Sequence, residues 1–459
     1  MSRTIKVAVI APGFVVLALL FLNWLNYRVA GLLSPHGLAW LSTLFFHLLL
    51  FVMLTATVLT VAERKWSAFT QDRIGPERAR LPLLSNHSLG GLPHVAADAL
   101  KMLTKEDTRP KAAERDRVLF MLGPILAFAP VYALAAVIPF GPAVRLASGY
   151  TVAPQVANPN FGILFVFAIA SLAVYGTSLA GWASNSKFAL LGGVRASSQM
   201  ISYEVALGLS LVGLMIAFNT VQLPALIGAA SASSGQAQYL WSTTLFGMDV
   251  GIPAWGIVLQ PAGFLLFFAA AFAETKRAPF DLPEGESEII GYFLEYSGMK
   301  FGTFMISEFV EVVVLSALIT AIFLGGWHFG FIGDRAFAAG WGTSHPVLYG
   351  VVCATVFALK TIILCWLQLM IRWTFPRFRY DQIMTLGWKI LLPLGLLNVF
   401  LSGALILLDP SLQWLGVVGL LEIAVLLGLT LTAGRKPARG PSASTTPDAH
   451  ALSTAAAHH

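Results

Sequence analysis

A polar stretch from Glu274 to Lys300 interrupts a chain that is 57% hydrophobic and only 11% charged. It holds six carboxylates and three basic side chains: Glu274, Asp281, Glu284, Glu286, Glu288 and Glu295, with Lys276, Arg277 and Lys300. Apolar runs on both sides, 253–273 and 301–324, would hold this stretch at a membrane surface. Carboxylates and bases fixed there are suited to moving protons or to binding an amphiphilic ligand.

Other ionisable residues fall inside apolar runs. Glu308 and Glu311 lie three residues apart and so share one helical face, with Glu308 about 12 Å deeper than Lys300. A charged group near the bilayer centre costs roughly 2.5–3.5 kcal/mol, which favours proton exchange over a structural role. Glu204 lies about one turn into another run, where a proton-handling role and a helix-capping role are equally supported.

Lys360 lies near the midpoint of the apolar run 347–371. A buried lysine changes its pKa or finds a partner. We therefore expect Lys360 to face the protein interior and to couple electrostatically to the region of Glu308 and Glu311.

Several classes of site are excluded by what the sequence lacks. Its two cysteines, Cys353 and Cys365, lie in one apolar run, without disulfide, zinc or iron–sulfur spacing. There is no Rossmann or P-loop glycine pattern, no HExxH and no serine–histidine–acid set. We therefore predict that this chain alone binds no nucleotide, flavin, haem or metal.

The elements that must position these residues are membrane helices. Mean hydropathy is +0.75, and apolar runs of about 20 residues recur along the chain, which is typical of an all-α, polytopic membrane protein. We predict about ten spans, at 6–25, 38–62, 117–139, 159–181, 200–220, 253–273, 301–325, 347–371, 387–408 and 412–433.

Basic residues accumulate on alternate connections between these spans. By the positive-inside rule, both termini and the charged loops are then cytoplasmic, which also explains the net charge of +6. One inside segment, 92–106, has an apolar and a polar face, which favours a helix lying in the membrane interface over a solvated surface helix. The tail 436–459, rich in Ala, Ser, Thr and Pro, is expected to be disordered.

The charged stretch, ETKRAPFDLPEGESEIIGYFLEYSGMKFG, resembles the signature loop of the H-subunit family of NADH-quinone oxidoreductase. Further stretches resemble the same family in the same order, over roughly residues 38–408. They are ERKWSAFTQDRIGP, DALKMLTKED, AGWASNSKFALLGGVRASSQMISYEVALGLS, Lys360 within its span, and FPRFRYDQ.

This resemblance implies a membrane subunit of respiratory complex I, active in NADH:quinone oxidoreduction and proton translocation only within the whole complex. Quinone would be its substrate, FMN and iron–sulfur clusters would lie on partner subunits, and its place would be a bacterial inner membrane. Residues shaping the quinone cavity would be Glu63, Arg64, Lys65, Arg73, Arg195, Arg277, Asp281, Glu284, Glu286 and Glu288. Residues coupling it to proton movement would be Asp98, Glu204, Glu308 and Lys360.

Some features depart from the family pattern. The family core has about eight spans, which we assign to residues 38–408. Residues 1–37 are then interpreted as an additional helix with its outer turn, and residues 409–435 as a second additional helix. The loop 77–93 is longer than usual, and Glu311 stands where no carboxylate is expected. Two alternatives remain: a related membrane subunit of a hydrogenase or of a dehydrogenase with another electron donor, and an ion channel or secondary transporter.

Overall fold

The fold, given by a computed structural model, is described here for residues 3–79, 91–111, 116–146, 149–228, 236, 238–245, 248–285, 289, 291–330 and 334–433. Helices dominate it because a backbone surrounded by lipid must satisfy its hydrogen bonds internally. The predicted disordered tail, 436–459, lies outside the described residues.

The helices are numbered along the chain. The first half contains α1 (Arg3–Leu33), α2 (Ala39–Thr43), α3 (Met53–Thr70), α4 (Pro93–Thr104), α5 (Arg117–Leu134), α6 (Gly162–Ala183), α7 (Lys187–Phe218) and α8 (Leu223–Ile227). The second half contains α9 (Gly256–Leu259), α10 (Pro261–Glu274), α11 (Gly298–Phe323), α12 (Asp334–Ser344), α13 (Pro346–Thr374), α14 (Tyr380–Thr385), α15 (Leu392–Leu408) and α16 (Gln413–Ala433).

Two helix pairs are continuous through wider, π-helical turns. Leu44–Val52 joins α2 to α3, and Leu386–Leu391 joins α14 to α15. Two antiparallel hairpins complete the fold, β1 (Val144–Arg145) with β2 (Thr151–Val152), and β3 (Tyr239–Leu245) with β4 (Met248–Pro253).

The prediction of an all-α, polytopic membrane protein is confirmed, with two corrections. Within the described residues, nine helices are long and apolar enough to span a membrane. The sixth predicted span, 253–273, is not one continuous helix: it consists of α9 and the 14-residue α10, interrupted at Gln260. The second correction is that α7 begins at Lys187, so Arg195 lies on a helix rather than in the connection expected there.

The centre of the protein is α11. Of its most apolar stretch, 94% is buried within the chain, against 17–56% for the other spanning helices. It packs against α3, α4, α5, α10 and α13. A helix enclosed in this way can carry Glu308 and Glu311 out of contact with lipid, and both side chains are buried.

The break between α9 and α10 is packed against the last helix, α16. A side-chain methylene at Gly419 would collide with the carbonyl oxygen of Val258, so the two backbones are in close contact. Glu422 of α16 accepts a hydrogen bond from the amide of Ala262, 3.1 Å away, in the first turn of α10. Gln260, at the break itself, donates to Ser402 of α15 at 2.6 Å. Glu422 thus satisfies a backbone amide at the break, while Ser402 accepts a hydrogen bond from the Gln260 side chain.

The predicted amphipathic helix within 92–106 is confirmed as α4, and its apolar Leu100 and Leu103 are largely exposed. It contacts α3 and α11. Its position in the membrane interface stays a prediction.

Candidate functional site

Arg277, just after α10, joins carboxylates from two other helices. Its Nη1 donates to Glu63 Oε2 at 3.0 Å, and its Nη2 lies 3.3 Å from Glu308 Oε2. The guanidinium also stacks on Phe309, 4.0 Å from the ring centre. Burial alone would lower the pKa of Arg277, but Glu308 and Glu63 raise it above its ordinary value. The arginine is therefore held as a cation between α3 and α11.

Glu63 is shared by two arginines. Its other oxygen, Oε1, lies 2.8 Å from Arg372 Nη1, near the end of α13. The three ion pairs of Glu63, Glu308, Arg277 and Arg372 thus tie α3, α11 and α13 to the charged loop. This set is called the arginine cluster below.

A second row of charges continues beside the arginine cluster. Lys276, whose backbone adopts the left-handed conformation (φ 56°), places its Nζ 3.5 Å from Glu311 Oε2. Burial lowers the pKa of Lys276, but Glu311 and its neighbours more than offset this, so the net shift is upward. Glu274 is close enough to interact electrostatically with both Glu311 and Glu204. The row therefore extends from the loop to α7.

The middle of the charged loop faces the arginine cluster. Asp281 Oδ2 accepts a hydrogen bond from Arg377 Nη2 at 2.7 Å. Burial raises the pKa of Asp281 to about 6 despite the opposing effect of Arg377. Burial and the neighbouring Glu308 also raise the pKa of Glu284 well above its ordinary value. Tyr292 donates to Glu308 Oε1 across 3.5 Å. The carboxyls of Asp281 and Glu284 are therefore suited to holding protons near neutral pH.

An open cleft of about 490 Å³ leads to this cluster. Its polar lining combines acids and bases, and Trp373 contributes an aromatic surface. The lining residues are Glu63, Arg64, Ser67, Arg73, Gly75, Pro76, Glu77, Arg78, His94 and Trp373. Glu63 belongs both to the cleft and to the arginine cluster, so it connects the surface with the buried charges.

The cleft is held by ion pairs between α3, the following loop and α4. Arg64 Nη1 lies 2.7 Å from Asp98 Oδ2, and Lys65 Nζ lies 3.1 Å from Glu77 Oε1. Arg73 donates to Gln71 at 2.7 Å and lines the cleft. Asp98, assigned above to proton coupling, is therefore the ion-pair partner of a residue that lines the cleft.

Not all the predicted residues come together. Lys360 does face inward, but its Nζ donates to the carbonyls of Leu324, Gly326 and His328 at 2.7, 3.1 and 2.7 Å. Leu324 lies about 24 Å along α11 from Glu308, so the expected electrostatic coupling between Lys360 and Glu308 is not supported by a direct contact. Arg195 lies on α7, nine residues before Glu204. The predicted Glu286 and Glu288 lie outside the described residues.

Several residues of the site have no role assigned from the sequence. There Arg372 counts only as a positive charge, Arg377 only as a member of the FPRFRYDQ stretch, and Lys276 and Glu274 only as members of the charged stretch. Tyr292 carries no signal. The high charge density of a short loop could have included Lys276 and Glu274, whereas Arg372 is recognisable only once α13 is placed beside α3.

No metal centre is evident in the part of the chain that the structure describes: no three His, Cys, Asp or Glu side chains there are grouped to hold an ion. The site is instead a connected set of carboxylates, arginines and one lysine.

Comparison with known proteins gives consistent matches. A family model described as NADH dehydrogenase matches residues 43–403. The NADH-quinone oxidoreductase H subunit 1 of Cytophaga hutchinsonii is 40% identical over 350 residues, covering 76% of this chain and 91% of the relative. The H subunit 1 of Geobacter metallireducens is 41% identical over 363 residues, covering 79% and 95%. The H subunit of Flavobacterium johnsoniae is 39% identical over 356 residues, covering 77% and 91%.

Proposed function

Because the chain belongs to the NADH dehydrogenase family of NADH-quinone oxidoreductase H subunits, we propose that it is the membrane subunit of a proton-translocating complex I. In this role it helps form the quinone-binding cavity and couples quinone reduction to proton translocation through its buried carboxylates. Catalysis belongs to the whole complex. FMN and iron–sulfur clusters are carried by partner subunits, and no cofactor by this chain.

One observation carries the proposal: Glu63 lines the open cleft and is also paired with both Arg277 and Arg372. A volume of about 490 Å³ is within the roughly 300–1,000 Å³ of small-molecule sites. The aromatic face of Trp373 suits a quinone ring, and the cleft's arginines suit its carbonyl oxygens. Reduction of the quinone by electrons from the partner subunits would take up protons and change the charge beside Glu63.

Buried charges that are paired respond strongly to such a change, because the low local dielectric strengthens each interaction. A loss or gain of charge at Glu63 alters the balance of Arg277 between Glu63 and Glu308. The change then passes to Glu284 and Tyr292, and through the neighbouring row of Lys276 and Glu311 to Glu274 and Glu204. Redox state in the cleft is thereby linked to protonation inside the membrane.

The test uses the assembled complex in proteoliposomes, with NADH and a short-chain quinone as substrates and a pH-sensitive dye as the reporter. Glu63→Gln and Glu308→Gln remove one charge each with little change in shape, and we expect slower quinone-linked proton movement. Asp381→Asn is the matched control, because the Asp381 side chain is 76% exposed. Assembled Glu63→Gln and Glu308→Gln complexes that move protons at the parental rate would contradict the proposal.

For topology, we propose a bacterial inner membrane with both termini and the charged loop on the cytoplasmic side. The only cysteines, Cys353 and Cys365, are buried and give little background labelling. With a membrane-impermeant thiol reagent, Asp381→Cys should react only from the cytoplasmic side and Ser411→Cys only from the outside. The opposite pattern would reverse the orientation.

A further inference from the structure

A line of buried polar side chains follows the contact between α11 and α13. Five residues form it, here called the α11–α13 seam: Ser316, Thr320, Thr361, Cys365 and Gln368. Gln368 donates to Ser316 Oγ at 3.0 Å, and Thr361 Oγ1 lies 3.5 Å from Thr320 Oγ1. All five are at most 5% exposed. Polar groups so deep in a membrane protein are costly and call for an explanation.

At its cytoplasmic end the seam meets the arginine cluster. Cys365 and Gln368 line a small cavity of about 20 Å³ together with Glu63, Arg277 and Arg372. That volume is enough for about one water molecule. Gln368 Oε1 is buried there without a hydrogen-bond partner among the described residues. An unpartnered acceptor beside charged groups is the usual setting of a bound water.

At its outer end the seam reaches Lys360, the residue before Thr361. Its ammonium group is fixed by the carbonyls that follow α11 and lies 4.3 Å from the ring centre of Trp255. Polar groups therefore extend from the arginine cluster to the outer end of α11. The two paired levels of the seam, at Ser316 and Thr320, are one helical turn or about 6 Å apart, a gap that one water can bridge.

The threonine hydroxyls of the seam are hydrogen-bonded within their own helices. Thr320 and Thr361 donate to the carbonyls of Ser316 and Phe357, one turn earlier in their own helices. Their oxygen lone pairs are left to accept a proton from a neighbouring hydroxyl or water.

We propose that the α11–α13 seam is a proton-transfer route between the arginine cluster and the outer half of the membrane. Gln368 positions the first water, Thr361 and Thr320 carry the proton onward, and Lys360 fixes the outer end. At each step the oxygen that accepts a proton gives up the hydrogen it already carries, which first turns away from its helix carbonyl, to the next oxygen along the route, so no other reactant is needed. The route rests on the function proposed above, since the cluster must first release the proton.

The experiment measures the initial rate of NADH-driven proton movement in proteoliposomes at equal amounts of assembled complex. Thr361→Val and Gln368→Leu should lower this rate about two- to tenfold, the value of one hydrogen bond. Thr361→Ser keeps the hydroxyl and should retain the parental rate. Thr355→Val is the matched control, because Thr355 also lies buried on α13 but faces Asn23 of α1.

The outcomes separate the two proposals. Parental rates for Thr361→Val and Gln368→Leu beside a slow Glu308→Gln would overturn the seam and leave the proposed function standing. A parental Glu308→Gln rate would count against the proposed function itself. Equal losses in Thr355→Val and Thr361→Val, or a loss in Thr361→Ser, would also overturn the seam, because packing would then explain the effect. If Thr361→Val does not assemble, Thr320→Val on the facing helix provides the same test.

Discussion

Replacing Arg277 should reduce the stability of the fold more than replacing the exposed arginines would. Its side chain is 7% exposed and that of Glu308 2% exposed, so solvent screens their ion pair very little. Removing one member of a buried pair typically costs about 3–5 kcal/mol, because the other charge is left uncompensated. Arg277→Leu should therefore lower the free energy of unfolding by about that amount.

The structure also predicts how this loss is repaired. In Arg277→Leu, Glu63 still has Arg372, whereas Glu308 loses its 3.3 Å ion pair with Arg277 and keeps a long hydrogen bond from Tyr292. Adding Glu308→Gln removes the unpaired charge, so the double variant should recover most of the lost stability. The change Glu63→Gln should not rescue, because it leaves Glu308 charged and also deprives Arg372 of its carboxylate.

The assay is SDS-induced unfolding in mixed micelles, followed by tryptophan fluorescence, with Arg379→Leu as the control. The Arg379 side chain is 79% exposed and pairs with Asp381 at 4.0 Å, so its loss should matter little. Two results would refute the reasoning. One is an Arg277→Leu variant that loses no more than the control, and the other is a double variant as unstable as Arg277→Leu alone.

Three further predictions follow from single features. Burial raises the pKa of Asp281 from 3.8 to about 6, so between these pH values the folded protein binds a proton that the unfolded chain does not. The free energy of unfolding of the parent should therefore fall by about 3 kcal/mol as the pH rises from about 4 to about 6. Asp281→Asn should flatten this part of the stability profile; an unchanged slope would contradict it. Gly419→Val should loosen α16 and destabilise the fold by about 1–3 kcal/mol, whereas Gly428→Val, with open space around it, should not; equal thermal stability of the two would be the contrary result. Lys360→Met should cost about 1.5–3 kcal/mol through lost hydrogen bonds to a charged group, and in a double-mutant cycle with Glu308→Gln the stability effects should add; a coupling above about 0.5 kcal/mol would revive the direct interaction.

The sequence predicts most of the helices because lipid imposes a simple rule: a long apolar run must be helical. The rule fails at 253–273, where the helix is interrupted at Gln260. There Glu422 of α16 satisfies the Ala262 amide, and Ser402 of α15 pairs with the Gln260 side chain. Such compensation involves residues about 140 and 160 positions away, so no local pattern reveals it. The start of α7 is hidden for a different reason: its first turns hold Lys187 and the glycines Gly192 and Gly193, which interrupt the apolar run.

The site divides in the same way. The charged loop and the deep carboxylates stand out by composition alone, since charge is scarce elsewhere in the chain. Their partners do not, because Arg277 meets Glu63 across 214 positions and the register between α3, α11 and α13 decides the pairing. Glu311, which the family pattern does not explain, is given a partner by Lys276. Lys360 lies in the middle of an apolar run, but its long side chain donates to the backbone carbonyls that follow α11 and not to the carboxylates of Glu308 and Glu311.

The contact of Glu422 with the start of α10 bears on how this protein can be shortened. Ending the chain after α15, at Leu408, would remove the acceptor that satisfies the Ala262 amide and uncover the backbone of Val258. The Ala262 amide and the Val258 carbonyl would then be exposed to lipid. The first turn of α10 contains Ala262, and α10 ends at Glu274, two residues before Lys276. Removing α16 at one edge of the protein would therefore shift the 14-residue helix α10, and with it the ion pair of Lys276 and Glu311. Tags and fusions should be attached after Ala433, the last residue of α16, because the contact between α16 and α10 is then kept.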